Sequence, residues 1–189
     1  LAKHTLVSYR YDNQGDLVAA IDSNNQAERY QYHHHLIRQR TLKTGFRFYF
    51  EWSNDTPKAR CCRQYGDEGF YNYRFEWEPE KRISRAIDSQ GGIETFYYNT
   101  QGQITRQIDP EGGETLFSYN NCGQLLRQQD PGGAEHRYEY NAQGRLTAAF
   151  EPGDGGYRIN YDEHERPIAL TDALGHQWQH HYNVQSQLS

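Results

Sequence analysis

A chain of 189 residues with a net charge of -5 and a mean hydropathy of -1.08 that lacks methionine yet carries 16 tyrosines is poor material for a helix bundle and good material for pleated strands. An aromatic content of 14% argues against disorder, and the longest apolar run, Leu17 to Ile21, is too short for a membrane-spanning helix or the core of a secretory leader. Its 25 acidic and 20 basic residues are interspersed and form no basic stripe for nucleic acid, and Cys61, Cys62 and Cys122 imply no disulfide framework.

Read from the N-terminus, the first expected element is a strand carrying Tyr9 and Tyr11, then a turn closing at Gly15, a return strand opening at Leu17 and an acidic stop at Asp22. The aromatic pair returns as Tyr30/Tyr32, as Phe50/Trp52 after a gap one residue shorter than 21, and as Phe75/Trp77 after a gap four residues longer. From there the spacing is 21 residues without exception, through Phe96/Tyr98, Phe117/Tyr119, Tyr138/Tyr140, Ile159/Tyr161 and His180/Tyr182. A fixed period of that length over about nine units signals a repeat architecture. The single predicted domain is the whole array, 1–189, degenerate at 33–67. Leu1 at its start and Ser189 inside an expected return strand lead us to expect a piece of a longer array.

Each unit carries two sets of turn residues. Gly102, Gly123 and Gly144 follow the second aromatic by four residues, and Asp88, Asp109, Asp130 and Asp172 follow it by eleven. Asn99-Thr100-Gln101-Gly102 opens on a side chain that bonds its own backbone and closes on a residue free to take positive φ; Asp109-Pro110-Glu111-Gly112 does the same with proline fixing φ. The unit is therefore a β-hairpin; alternation puts Phe96 and Tyr98 on one face and Thr95 and Tyr97 on the other, and Ile104 and Ile108 share one face of the return strand, so that one face of the hairpin is aromatic and aliphatic. Isolated hairpins are marginal in water, so each must pair with its neighbours. The expected fold is all-β: tandem hairpin repeats of about 21 residues in a curled antiparallel sheet. Equal spacing further predicts that Tyr98, Tyr119, Tyr140 and Tyr161 stack on one another across repeats.

The pattern Tyr-x-Tyr-(Asp/Asn)-x-x-Gly-x-Leu followed by Asp-Pro-x-Gly, best kept from Glu94 to Arg145, resembles the Rhs/YD-repeat family. The resemblance implies a hollow β-shell that encloses a C-terminal toxin domain, with partners limited to further repeats of the shell, the enclosed toxin and secretion-system components. It also implies delivery by a bacterial secretion system and no cofactor; animal relatives imply an adhesive or carbohydrate-binding alternative. The family's autocleavage motif is not carried over, because Gly112 is followed by Gly113 and Gly133 by Ala134. Within 33–67 the turn glycine is replaced by Leu36 and Thr56, and Lys43 is expected at the acidic place.

Three chemical readings compete with a purely structural one. Paired carboxylates can hydrolyse glycosides, but Asp88, Asp109, Asp130 and Asp172 recur once per unit, whereas a catalytic pair should be unique. His33 and His35 are expected on one strand face, and two ligands without a partner at recognisable spacing do not make a metal site; His180 stands where other units have Phe96 or Tyr138. The structural reading assigns no catalytic, cofactor-binding or metal residues, and gives the repeat positions Tyr11, Tyr32, Trp52, Trp77, Tyr98, Tyr119, Tyr140, Tyr161 and Tyr182 the task of holding neighbouring hairpins together. Polar pairs such as Arg106/Gln107 and Arg127/Gln128 are expected on the wall facing water or cargo.

Overall fold

The computed structural model describes residues 6–188; Ser189, where the last return strand was expected to run, and residues 1–5 lie outside them. Seventeen strands follow one another: β1 Val7–Tyr11, β2 Leu17–Asp22, β3 Ala27–His33, β4 Leu36–Thr41, β5 Arg47–Trp52, β6 Cys61–Gly66, β7 Tyr73–Glu78, β8 Ile83–Ile87, β9 Ile93–Tyr98, β10 Ile104–Ile108, β11 Glu114–Tyr119, β12 Leu125–Gln129, β13 Glu135–Tyr140, β14 Leu146–Glu151, β15 Gly155–Tyr161, β16 Pro167–Asp172 and β17 Gln177–Gln179. The only helical pieces among the described residues are single 3-10 turns at Asp67–Gly69 and Pro79–Lys81. The chain divides into two compact units, 1–95 and 96–189, with β9 lying across the division.

In the first unit β1 to β8 form an antiparallel meander in which every strand pairs with the next. In the second, β10 to β17 do the same. The all-β hairpin array read from the sequence is thus present in both.

Most of the turns share one construction. At Asn99 the amide donates to the Gln103 carbonyl, the Gly102 amide donates back to the Asn99 carbonyl, and the Asn99 side chain accepts from the amides of Gln101 and Gln103. This is a type I turn closed by a left-handed residue that bulges the strand. The same bonds recur at Asn120 and Asn141 and at the other edge of the hairpins at Asp88, Asp109 and Asp172; at Asp130 the carboxylate accepts from Ala134. Gly102, Gly123 and Gly144 have φ of 80°, 82° and 83°, a conformation that costs an L side chain roughly 1–2 kcal/mol.

The stretch 33–67 keeps its strands and changes only its turns. Between β3 and β4, two residues, His34 and His35, replace the longer turn, both at positive φ (52° and 62°). Between β5 and β6 the connection lengthens to 53–60. The short turn moves the following register by one, so Leu42, not Lys43, opens the next turn, donating to Phe46 and accepting from Gly45. Lys43 instead reaches back one repeat to Asp22 Oδ2 at 2.6 Å.

Among the described residues the buried apolar ones are four alanines, Ala19, Ala148, Ala149 and Ala169, and a single larger side chain, Ile87. No large side chain among the described residues is completely buried. Stability therefore comes from strand to strand, through neighbouring hairpins, and not from a second layer closing over the sheet.

Candidate functional site

Cross-strand partners share a face, so the register sorts the side chains into two faces. In the second unit one face carries Phe117 opposite Gln128, Gln128 opposite His136, Tyr138 opposite Ala149, Ala149 opposite Tyr157, and Ile159 opposite Leu170. In the first it carries Tyr9, Tyr30, Phe48, Phe50 and Phe75. We call this the aromatic face.

The opposite face collects arginine. Arg10, Ala19, Arg29, Thr41 and Arg47 stand opposite one another in sequence across β1 to β5, and Arg63 faces Arg74. In the second unit Arg106 faces Leu116, and Ser118, Arg127, Arg137 and Phe150 form a continuous row. Many of these charges are matched: Arg47 bonds Asp67 at 3.0 Å, Arg127 bonds Glu135 at 2.6 Å, Arg158 bonds Glu139 at 3.3 Å, and Arg106 pairs with Glu114. Guanidinium groups also lie over rings, Arg63 on Tyr65 at 4.6 Å, Arg106 on Tyr97 at 4.9 Å and Arg137 on Phe150 at 5.2 Å, contacts that attract through the ring quadrupole.

Two expectations are corrected by this sorting. Arg106 and Arg127 lie on the arginine face while Gln107 and Gln128 lie on the aromatic one, because consecutive strand residues alternate. Ile108 pairs with Glu114 and so lies opposite Phe117 and Tyr119; the aromatic face is completed by Thr115, Gln107 and Gln128 instead.

The repeating tyrosines do something other than stack. Within a hairpin the strands pair along most of their length, but between hairpins β10–β11 and β12–β13 pair over only three residues, at the end far from the Asn turns. Toward those turns the strands splay, leaving the first carbonyl of each return strand without a ladder partner. Tyr119 donates its hydroxyl to the Ile104 carbonyl at 2.8 Å, Tyr140 to Leu125 at 2.9 Å, Tyr161 to Leu146 at 2.8 Å and Tyr182 to Pro167 at 2.9 Å. Trp52 and Trp77 deliver an indole N–H to the equivalent carbonyls of Ile37 and Cys61 at 2.7 and 2.8 Å. No ring pair links Tyr119, Tyr140 and Tyr161: each ring fills the wedge of its own seam and is held two strands from the next. Burial raises the pKa of Tyr119 and Tyr140, as expected for hydroxyls that stay protonated donors. Tyr32 and Tyr98 occupy the same strand-end position, and Tyr11, in the first hairpin, is exposed.

A second set of links ties the turns in a row along the sheet. Gln103 Nε2 donates to the Gly123 carbonyl at 2.7 Å and Gln124 Nε2 to that of Gly144 at 2.8 Å, while the same glutamines accept from Asn99 and Asn120. Sequence reasoning passed over these residues, although Gln103, Gln124 and Gln187 recur one place after the turn glycine or its equivalent, Ser186. Asp67 was also missed as the acidic residue of its unit; it accepts from Arg47 and from Tyr49.

The depressions between successive Asn turns, about 410 Å³ between Asn99 and Asn120 and about 620 Å³ between Asn120 and Asn141, recur with the repeat and are lined by turn residues. The carboxylates of Asp88, Asp109, Asp130 and Asp172 are occupied by backbone amides, an arrangement that fixes a turn.

A family model matches residues 63–189, the Teneurin YD-shell. The chain belongs to the Teneurin YD-shell family. This agrees with the Rhs/YD resemblance of the repeat and makes the array a structural shell segment. Solved structures similar to this YD-shell chain include TcdB2-TccC3-Cdc42 (12% identity, TM-score 0.44, 97% of this chain and 14% of that one) and TcdB2-TccC3-TEV (13%, 0.46, 97% and 14%). Another is the Photorhabdus luminescens Tc holotoxin pore (12%, 0.36, 96% and 15%). The chain spans about one seventh of the length of these. No curated protein matches it. Among the described residues no helix is long and apolar enough to cross a membrane.

Proposed function

We propose that this YD-shell segment is a length of wall in a larger compartment that encloses a toxic polypeptide domain and carries it out of the producing cell, with the arginine face meeting solvent or cargo. The observation that supports this most is the sheet itself: a single layer, patterned on both faces, whose carboxylates serve turns and whose repeat links each hairpin to the next. Such a wall acts by enclosing, with no catalytic step of its own, and its partners are further repeats, the enclosed domain and the secretion components that release it. Further repeats on either side of 1–189 belong to the same proposal.

The test is protection. In the full-length protein carrying this segment, a cargo domain should resist a protease that digests the same domain expressed alone, and should become sensitive when the wall is opened by Gly123→Val. Digestion at equal rates with and without the wall would overturn the reading. An adhesive wall is the second reading, favoured by exposed rings at Tyr9, Tyr11, Tyr71 and Trp178; saturable binding on a glycan array, lost in Trp178→Ala, would establish it instead.

A further inference from the structure

Two of the irregular turns of the first unit meet. The shortened β3–β4 turn stacks the His33 and His34 rings at a centroid distance of 4.2 Å. The lengthened 53–60 connection brings Asp55 beside them, its Oδ2 3.9 Å from His33 Nε2. One ligand atom from each of His33, His34 and Asp55 lies within 4.8 Å of the other two, and all three residues are exposed. The expectation that His33 and His35 share a face fails because His34 and His35 are the turn itself; His35 swings to the neighbouring tip, its Nδ1 2.9 Å from Asp16 Oδ1.

From these observations we propose that His33, His34 and Asp55 form a site for a divalent transition metal of the zinc class, joining the β3–β4 tip to the 53–60 loop. The donors fit: two imidazoles and one carboxylate are a zinc ligand set, with remaining positions filled by water. Zinc bonds of about 2.0–2.1 Å at tetrahedral angles place ligand atoms roughly 3.3 Å apart, so exposed side chains need to close by about 1 Å or a little more.

The surroundings prepare the site from both sides. Arg38 holds Asp55 by Oδ1, leaving Oδ2 turned toward His33. Asp55 sits in a loop that is itself fixed, Ser53 N donating to the Arg60 carbonyl at 2.9 Å and Thr56 N to Asn54 Oδ1 at 2.9 Å. Both central residues of this two-residue hairpin have positive φ, where Asn-Gly is the preferred pair. Asp55 lies 22 residues after His33, a separation that matches no ligand-spacing motif, so the sequence conceals the cluster and only the change in turn lengths assembles it.

The experiment is a calorimetric titration of zinc chloride into the metal-free 189-residue chain at neutral pH. One saturable site of micromolar affinity is expected, with a rise of a few degrees in melting temperature. Asp55→Asn should weaken binding by more than about tenfold, the loss of an anionic ligand. The double variant His34→Asn/His35→Gly removes a ligand while supplying the preferred turn, so without zinc it should melt no lower than the parent and yet lose the site. His181→Gln should bind as the parent does. Absence of saturable binding, full affinity in Asp55→Asn or in the folded double variant, or loss of binding in His181→Gln would each overturn the proposal.

Discussion

Replacing Tyr140 by phenylalanine keeps the ring that fills the seam between β12 and β13 and removes only the hydroxyl that meets the Leu125 carbonyl at 2.9 Å. A neutral hydrogen bond contributes about 0.5–1.5 kcal/mol net, and a carbonyl left dry costs roughly 1–3 kcal/mol. Tyr140 is only half-buried, so water can reach the freed carbonyl and the loss belongs near the lower range, about 1 kcal/mol. Tyr119 and Tyr161 make the same bond one repeat away on either side, separated by two strand spacings, about 9.6 Å, where effects add to within about 0.5 kcal/mol. The triple variant Tyr119→Phe/Tyr140→Phe/Tyr161→Phe should therefore lose about 3 kcal/mol, or roughly 6–12 °C in melting temperature for a chain of this size. The internal control is Tyr138, on the same strand and face, whose hydroxyl bonds no protein group among the described residues; Tyr138→Phe should stay within about 0.5 kcal/mol of the parent. Urea unfolding of the three variants measures this, with hydrogen exchange at the β12–β13 seam to show that the loss is local. Equal losses from Tyr138→Phe and Tyr140→Phe would mean that the hydroxyl-to-carbonyl bond contributes nothing and that the repeat selects ring shape alone.

Gly123→Val should lower the melting temperature well below that of Cys122→Ser, since Gly123 has φ of 82° and an added Cβ would lie 3.1 Å from Gln103 Nε2; matched melts of the two decide it. Gly156→Ala should be more damaging still, because a Cβ there would come within 2.2 Å of the Ala149 carbonyl oxygen, and failure to recover folded protein is the expected outcome. Asp109→Asn should be nearly neutral while Asp109→Ala loses about 1 kcal/mol, as for a lost backbone cap; destabilisation by Asn as large as by Ala would show that the charge, and not the acceptor geometry, is needed. Lys43 on Asp22, the backbone amide and guanidinium of Arg166 on Asp162, and the His176 ring on Asp172 hold these carboxyls below their usual range. A lowered folded-state pKa gives stability that is complete above the unfolded value of about 3.9 and lost as pH falls through the folded one, so Lys43→Met should lower stability slightly at neutrality, as befits an exposed pair, and converge with the parent in acid well below about pH 4, which flattens the acid limb of the profile.

The hairpins were legible because each turn announces itself locally: an Asx residue, three or four places, a glycine. The period then carried the fold through 33–67, where the turn residues change and the strands do not. The faces were harder, since the bulge at each turn shifts register by one and alternation counted through it misassigns Ile108, while plain alternation along β10 separates Gln107 from Arg106. The task of the repeating aromatic was present in the letters and overlooked: its position holds Tyr or Trp in all nine units, and of the two aromatic positions only the earlier one admits phenylalanine, at Phe50, Phe75, Phe96 and Phe117. A position that admits a phenol or an indole but no bare ring is asking for a donor. The His33–His34–Asp55 cluster could not be read, because two departures from the period, each meaningless alone, acquire meaning only when the sheet sets their tips side by side.

The two edges of the sheet use the same turn, but only the Asn edge has tyrosine in its seams, and this restricts how such a gene can change length. Gaining or losing 21 residues moves the chain by two strands and returns every ring to its own edge. Losing one strand with its turn would still leave every turn well formed, yet would reverse the direction of all that follows and carry each later tyrosine to the wrong margin, away from the carbonyls it serves. Heritable variation in length is thereby confined to whole hairpins and to the turns between strands, and the irregular tips at 33–36 and 53–60 are variation of the second kind.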